Sequence, residues 1–245
     1  MLVLSDDGSY TAFSKEYNEH YHSTKDGALH ESLTKHVQPA LKLKKSQEKI
    51  VILDICFGLG FNTLATIYYA QEHNLNSKIE IYSPELDSSL INSLSDFIYP
   101  KEFDNYKHII LELIATNRYE DEKIKIELFL GDAREYIKKF ENEMFDIVYQ
   151  DAFSPSVNPI LWTQEYFRDI SKSIKKDGIL TTYSMAFKTR LALYENGFNV
   201  YINSGENFRD ATIASKEELS TFEKVDMLHK ISCNKNITSL RDSEL

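Results

Sequence analysis

The run KIVILDI at residues 49–55 constrains this chain more than any other stretch. It is almost unbroken in aliphatic residues, which suits a strand buried on both faces, as in a parallel sheet covered by helices. Two glycines alternating with bulky residues come next in CFGLG, and then FNTLATIYYAQEH carries the apolar spacing of a helix. Strand, glycine turn and helix then recur with variations. KIEIYS, KIKIELFLG, MFDIVYQD and GILTTYS read as further strands, and FNVYIN and ATIAS as closing ones. The segments DSSLINSLSDF, HIILELIATNRY (an inserted helix), DAREYIKKF, WTQEYFRDISKSI and FKTRLALYENG between them read as helices. Alternation of this kind implies an α/β protein with a doubly wound sheet and helices on both faces.

The flanks read differently. MLVL and YTAFS enclose SDDGS, whose Asp7-Gly8 pair predicts a β-hairpin. DGALHESLTKHVQPALK reads as a helix ended or kinked at Pro39. STFEKVDMLHKIS reads as one amphipathic helix, with a frayed tail after it. The expected organisation is therefore an N-terminal hairpin and helix extension over 1–48, a main domain over 49–215, and a C-terminal helix and tail over 216–245.

Composition removes several function classes. The two cysteines, Cys56 and Cys233, give neither a disulfide framework nor a metal-ligand spacing, which fits a reducing compartment. His20, His22, His30 and His36 match no zinc pattern and read as surface or core residues, so no metal is expected. No stretch approaches the roughly 18 apolar residues of a membrane span, and no secretory leader is visible, so a cytoplasmic protein without membrane contact is expected. The net charge of −10 argues against a nucleic-acid grip over the whole surface, because phosphate binding is driven by Lys and Arg; local basic patches remain open.

Ligands of doubly wound sheets bind beyond the carboxyl ends of the strands. Here those ends carry Asp54 with the Gly58-Leu59-Gly60 turn, Pro84-Glu85, Gly131-Asp132-Ala133, and Asp151-Ala152-Phe153-Ser154-Pro155. A phosphate-gripping loop would need a Gly-Lys-Ser/Thr ending that is absent. A dinucleotide fingerprint would need a third glycine where Thr63 stands. S-adenosyl-L-methionine (AdoMet) carries no phosphate, and its chemistry matches. Asp54 suits the ammonium or sulfonium charge, Gly58 and Gly60 allow close backbone approach, Glu85 suits the two ribose hydroxyls, and Asp132 suits the adenine amine. Asp151 is placed to orient an amine nucleophile and take up its proton, since only a neutral amine has a lone pair for in-line attack on a methyl. Cys56 reads as a small packed hydrophobe and Trp162 as a core anchor.

YHSTKDGALHES, DICFGLGFNTL, LFLGDAREYI, FDIVYQDAFSPSVNPILWTQEYF and GILTTYS, in this order, resemble the methyltransferase part of the MnmC family of tRNA wobble-uridine modification enzymes, over roughly residues 8 to 215. The resemblance implies a class I Rossmann-like AdoMet-dependent methyltransferase with a seven-stranded sheet. It also implies methylation of the 5-aminomethyl group of the wobble uridine, giving 5-methylaminomethyl-(2-thio)uridine. Longer members fuse an FAD oxidase; no second glycine-rich unit comes after residue 215, so a separate FAD oxidase or upstream modification enzymes become expected partners beside tRNA. Carried over residue by residue, Phe57, Gly58, Gly60 and Asn62 match the cofactor loop, Glu85 the ribose acid, and Asp132 with Ala133 the adenine side. Asp151 matches the acid facing the substrate, and Glu31 an acid closing over the cofactor. Cys56 replaces a usual glycine, Asp54 a glutamate of the longer members, and Ala152 a common glycine. A spermidine-synthase-like aminopropyltransferase and a non-catalytic AdoMet-fold binding protein are the competing readings.

Overall fold

The computed structural model describes residues 2–245. Its main sheet holds nine strands in the order β12-β10-β11-β9-β8-β4-β5-β7-β6. The five central strands are parallel: β9 (Ile174–Thr182), β8 (Phe145–Gln150), β4 (Lys49–Ile55), β5 (Lys78–Glu85) and β7 (Ile124–Leu130). The expected seven strands are these and the antiparallel pair β10 (Asn199–Gly205) and β11 (Phe208–Ser215). Two short edge strands bring the total to nine: β6 (Arg118–Glu120) and β12 (Glu223–Lys224).

Strand β4 shows why its sequence is so apolar. Ile50 and Ile52 pack into the hydrophobic cluster on one face of the sheet, while Val51, Leu53 and Ile55 pack into the cluster on the other. Both faces are covered, so period-2 polarity is absent and only the edge residue Lys49 is exposed. Because β4 pairs with β5 on one side and β8 on the other, the strand order reverses there, and a crevice opens above their carboxyl ends.

A second, three-stranded antiparallel sheet of β1 (Leu2–Leu4), β2 (Tyr10–Ser14) and β3 (Glu19–His20) forms the N-terminal extension. Its Asp7-Gly8 turn also starts the next helix: Ser9 Oγ accepts from Ala28 N at 2.9 Å, and Asp7 Oδ2 from His30 N at 3.0 Å.

That helix runs on through Pro39 instead of ending or breaking there. It is α-helical over Ala28–Glu31, π-helical over Ser32–Val37, and α-helical again over Gln38–Lys44. Gln38 N reaches back five residues to Leu33 O, so the wide turn precedes the proline and leaves it in the first turn of the following α segment, where a missing N–H is tolerated. The carbonyl of Thr34, whose π-type donor would be the absent N–H of Pro39, accepts instead from Asn203 Nδ2 at 2.9 Å.

Two C-terminal expectations are corrected. Residues 220–232 do not form one helix: Glu223–Lys224 adds to the sheet edge, and only Met227–Cys233 is helical, capped by Asp226. The tail is tied down. Asp242 takes two bonds from the Arg134 guanidinium at 2.8 and 2.5 Å, and Leu240 O accepts from Gln164 N at 2.8 Å. Long-range polar partners, invisible to local periodicity, decided both. The inserted helix is Lys107–Thr116; Asn117 ends it in the left-handed region, at φ 58°, and the residues after it become β6.

Candidate active site

A cavity of about 810 Å³ opens above the carboxyl ends of β4, β5, β7 and β8, roofed by the N-terminal extension. Its size is ordinary for a small-molecule site. Its floor is the turn after β4. Cys56 (φ 69°), Gly58 (φ 55°) and Gly60 (φ 77°) all adopt the left-handed region. At Gly60 a Cβ would meet the Phe57 ring at 2.9 Å, so only glycine fits there. Cys56 holds a conformation that favours glycine, which accounts for the glycine of the family it resembles at that position. Burial and the nearby Glu85 push its thiol well above the ordinary range, so it is not a poised nucleophile.

Glu85, the last residue of β5, accepts from Gly58 N at 2.8 Å through Oε2 and from Asp87 N at 2.9 Å through Oε1. Each oxygen keeps a lone pair toward the cavity, which suits a vicinal diol. Burial raises its carboxyl from the usual range, opposed by those backbone bonds. Asp132 lies just beyond β7 and caps the helix Ala133–Ile137 by accepting from Arg134 N at 2.7 Å; it is exposed at the cavity wall beside Ala133. Phe57, Gly58, Asn62, Glu85, Asp132 and Ala133 all line the cavity, so this donor set and the glycine cradle fit AdoMet.

Asp54 does not line it. The side chain is fully buried beneath the turn, where Oδ2 accepts from Thr63 Oγ at 2.8 Å and Oδ1 has no partner among the described residues. Burial pushes its carboxyl up to about 7, opposed by the Thr63 bond and reinforced by Asp151. Its place braces the turn against the helix Phe61–Glu72 instead of meeting a ligand charge directly. Gly60 likewise shapes the turn without facing the cavity.

Asp151 comes directly after β8 and projects into the cavity. Its Oδ2 accepts from Asn62 Nδ2 at 2.8 Å, and His36 Nε2 lies 3.3 Å from Oδ1. Asn62, expected on the cofactor side, thus bridges the cofactor turn to Asp151. Burial raises the Asp151 carboxyl, but His36, His22 and Asn62 outweigh it and hold the group below the usual carboxylate range, so it is ionised at neutral pH. The loop after it is pinned by three donors: Gln150 Nε2 to Leu161 O, Trp162 Nε1 to Phe153 O (both 2.8 Å) and Tyr183 OH to Ala152 O at 2.9 Å. Trp162 therefore packs in the core and fixes the loop at the same time.

The roof brings in Glu31, which the family resemblance pointed to, and several residues that the sequence did not single out. Glu31 is buried, accepting from Ser23 N at 2.7 Å and from Lys35 Nζ at 2.8 Å. Lys35 also bonds Asp26 at 2.6 Å; burial lowers its pKa, but the two carboxylates raise it overall and keep it charged. Glu19 accepts from Ser154 N at 3.0 Å and from its hydroxyl, and Tyr17 stacks on Phe153 at 4.6 Å, which closes the extension onto the β8 loop. Lys25 and Arg209 line the cavity as exposed cations. His22, buried on the wall, has its pKa lowered by burial. His36 falls on the stripe Leu29, Leu33, His36, Ala40, so a polar residue on a buried face was the one available signal. Among the described residues, no group of three or more His, Cys, Asp or Glu could hold a metal ion, and no helix is long and apolar enough to cross a membrane.

A family described as S-adenosyl-L-methionine-dependent methyltransferase matches residues 101–217. The crystal structure of MnmC2 from Aquifex aeolicus superposes with a TM-score of 0.87 at 33% identity, covering 99% of this chain and 79% of that one. The protein MJ0670 of Methanocaldococcus jannaschii is 32% identical over 81% of this chain and 54% of its own length. The tRNA 5-methylaminomethyl-2-thiouridine biosynthesis bifunctional protein MnmC of Azoarcus sp. is 26% identical over 81% of this chain and 32% of its length. The chain thus spans about half and about a third of these two relatives.

Proposed function

We propose that this chain, which belongs to the MnmC family of AdoMet-dependent methyltransferases, methylates the 5-aminomethyl group of the wobble uridine in tRNA. The observation that carries this reading is the Asp151 carboxylate, held by Asn62 at 2.8 Å in the same cavity as the Gly58 turn and Glu85. AdoMet supplies, when bound, a methyl group on a sulfonium. Glu85 and the Gly58 turn hold the ribose end of the cavity, and Asp132 its adenine end. Asp151 accepts a hydrogen bond from the neutral amine, aims its lone pair, and takes up the proton released when the new N–C bond forms. The exposed cations Lys25 and Arg209 give a substrate phosphate a local partner in a chain whose net charge is −10. A separate FAD oxidase or other upstream enzyme would supply the aminomethyl substrate, and the cytoplasm would be the site of action.

The test is incubation with methyl-labelled AdoMet and bulk tRNA from a strain lacking the gene, followed by nucleoside analysis. Label in 5-methylaminomethyl-(2-thio)uridine is the expected result. Unlabelled tRNA together with turnover of decarboxylated AdoMet and a polyamine would replace this reading with aminopropyl transfer. AdoMet binding with no transfer to either acceptor would favour a binding protein.

A further inference from the structure

His36, which lies beside Asp151, is among the most deeply buried titratable side chains of the described residues. It is completely buried, yet it belongs to the N-terminal extension and not to the strand ends that form the site. Its Nδ1 lies 3.0 Å from the Thr181 hydroxyl on β9. That hydroxyl can donate to Nδ1 or accept from it; the Asp151 carboxylate beside Nε2 favours the tautomer in which it donates and the ring proton sits on Nε2. Nε2 faces Asp151 Oδ1 at 3.3 Å, too far off line for a formal hydrogen bond, and has no other partner among the described residues. Contacts of this kind are often long at catalytic groups and shorten once substrate is in place.

We infer that His36 is a positioning residue: with Asn62 it clamps one oxygen each of the Asp151 carboxylate, so that the remaining lone pairs point at the substrate amine. The inference rests on reading the site as an amine methyltransferase. Each carboxylate oxygen offers two acceptor directions. Asn62 occupies one on Oδ2, and His36 Nε2 at 3.3 Å is placed to take one on Oδ1 once substrate is bound, which leaves one on each oxygen for the cavity. With a single clamp the carboxylate rotates about its Cβ–Cγ bond and the aim is lost. Other ionisable groups around the pair are His22, Asp54, Glu31, Cys56 and Tyr183, with the Tyr149 ring edge-on to His36 at 5.8 Å.

The backbone supports the assignment. His36 lies within the π-helical stretch Ser32–Val37. One extra residue in a turn rotates the later residues by about 100° relative to an uninterrupted α-helix, and single π turns concentrate at functional sites. The wide turn therefore decides which residue of this helix faces Asp151. It is kept in place at a distance by Asn203, which satisfies the Thr34 carbonyl.

The test compares His36→Leu, His36→Asn and His36→Gln with the wild type on the same aminomethyl-bearing tRNA, in single-turnover mode, with AdoMet affinity and melting temperature from the same preparations. The Leu variant should lose about 10²-fold in rate, the usual cost of misplacing a catalytic group by an ångström, with AdoMet affinity unchanged. Gln places an amide donor where Nε2 stands and should recover much of the rate. Asn reaches toward Thr181 but not Asp151 and should not. If Leu does not fold, the Gln-to-Asn ratio decides alone. Equal rates for Gln and Asn, or a folded Leu variant as fast as the wild type, would overturn the inference. Wild-type activity on that tRNA would still stand, which separates this failure from a failure of the substrate assignment.

Discussion

The two halves of the cavity are held together in different ways. At the end with the Gly58 turn, the proposed cofactor end, the acids are tied to backbone N–H groups of the strand-end turns. Glu85 takes the N–H groups of Gly58 and Asp87, and Asp132 takes that of Arg134. At the Asp151 end, the proposed substrate end, Asp151 and Glu19 are tied to segments far away in sequence, and Glu31 is tied within the extension itself. Asp151 depends on Asn62 and His36, Glu31 on Lys35 and Ser23 N, and Glu19 on the Ser154 loop. A site fixed by its own turn forms wherever the strand and helix form. A site fixed between elements exists only when the extension is docked, so the substrate half should be the more sensitive to distant change.

The largest effect that would sharpen this contrast is expected from Asp151→Ala. Loss of a general base typically costs about 10²- to 10⁴-fold in turnover. AdoMet affinity should hardly move if the halves are separable. Single-turnover rates and calorimetry on one preparation check both, and a destabilised but fully active variant would remove Asp151 from the chemistry.

Next in size is Glu85→Ala, which should raise the AdoMet dissociation constant by roughly 10- to 150-fold, the equivalent of about 1.5–3 kcal/mol for hydrogen bonds to a charged group. It also strands the Gly58 N–H, so the turn itself should loosen. An unchanged constant would mean that the backbone-tied half is not the cofactor half.

The smallest effect concerns Asp54, beneath the turn. Its folded-state carboxyl is raised to about 7 by burial, above the unfolded value near 3.8. A raised pKa gives a stabilising contribution that is complete below the unfolded value and lost as pH rises through about 7. Asp54→Asn, which keeps an acceptor for Thr63, should therefore melt like the wild type in acid, rise increasingly above it as pH climbs from about 4 to about 7, and keep a constant lead at higher pH. Melting temperatures across that window check the sign. A difference that stays constant from acid through neutrality would show that burial does not shift the group.

Legibility in the sequence divides along the same line. The strand ends could be read because each functional residue lies within a few positions of a strand terminus: Asp54, Glu85, Asp132 and Asp151 are all at the carboxyl edge. Even so, the sequence could not tell that Asp54 turns under the loop, because one residue of phase at a strand end separates the cavity from the core. Nor could it assign Asn62 to Asp151, a partner 89 positions away. The helix continues through Pro39 because a π turn puts the proline in the first turn of the next α segment and Asn203 serves the Thr34 carbonyl, neither of which the sequence shows.

By itself, then, the sequence determined the doubly wound sheet, the glycine turn and the four acids on its edge, because burial on both faces and left-handed backbone leave local, periodic signatures. Only the tertiary structure decided which acids face the cavity, how Asp151 is held, and that His36 and Lys35 from the extension belong to the site. The hold on Asp151 rests on side-chain contacts between segments far apart in the chain, which no local pattern encodes, whereas Lys35 sits in a local i,i+4 pair whose place in the site only the docking of the extension reveals.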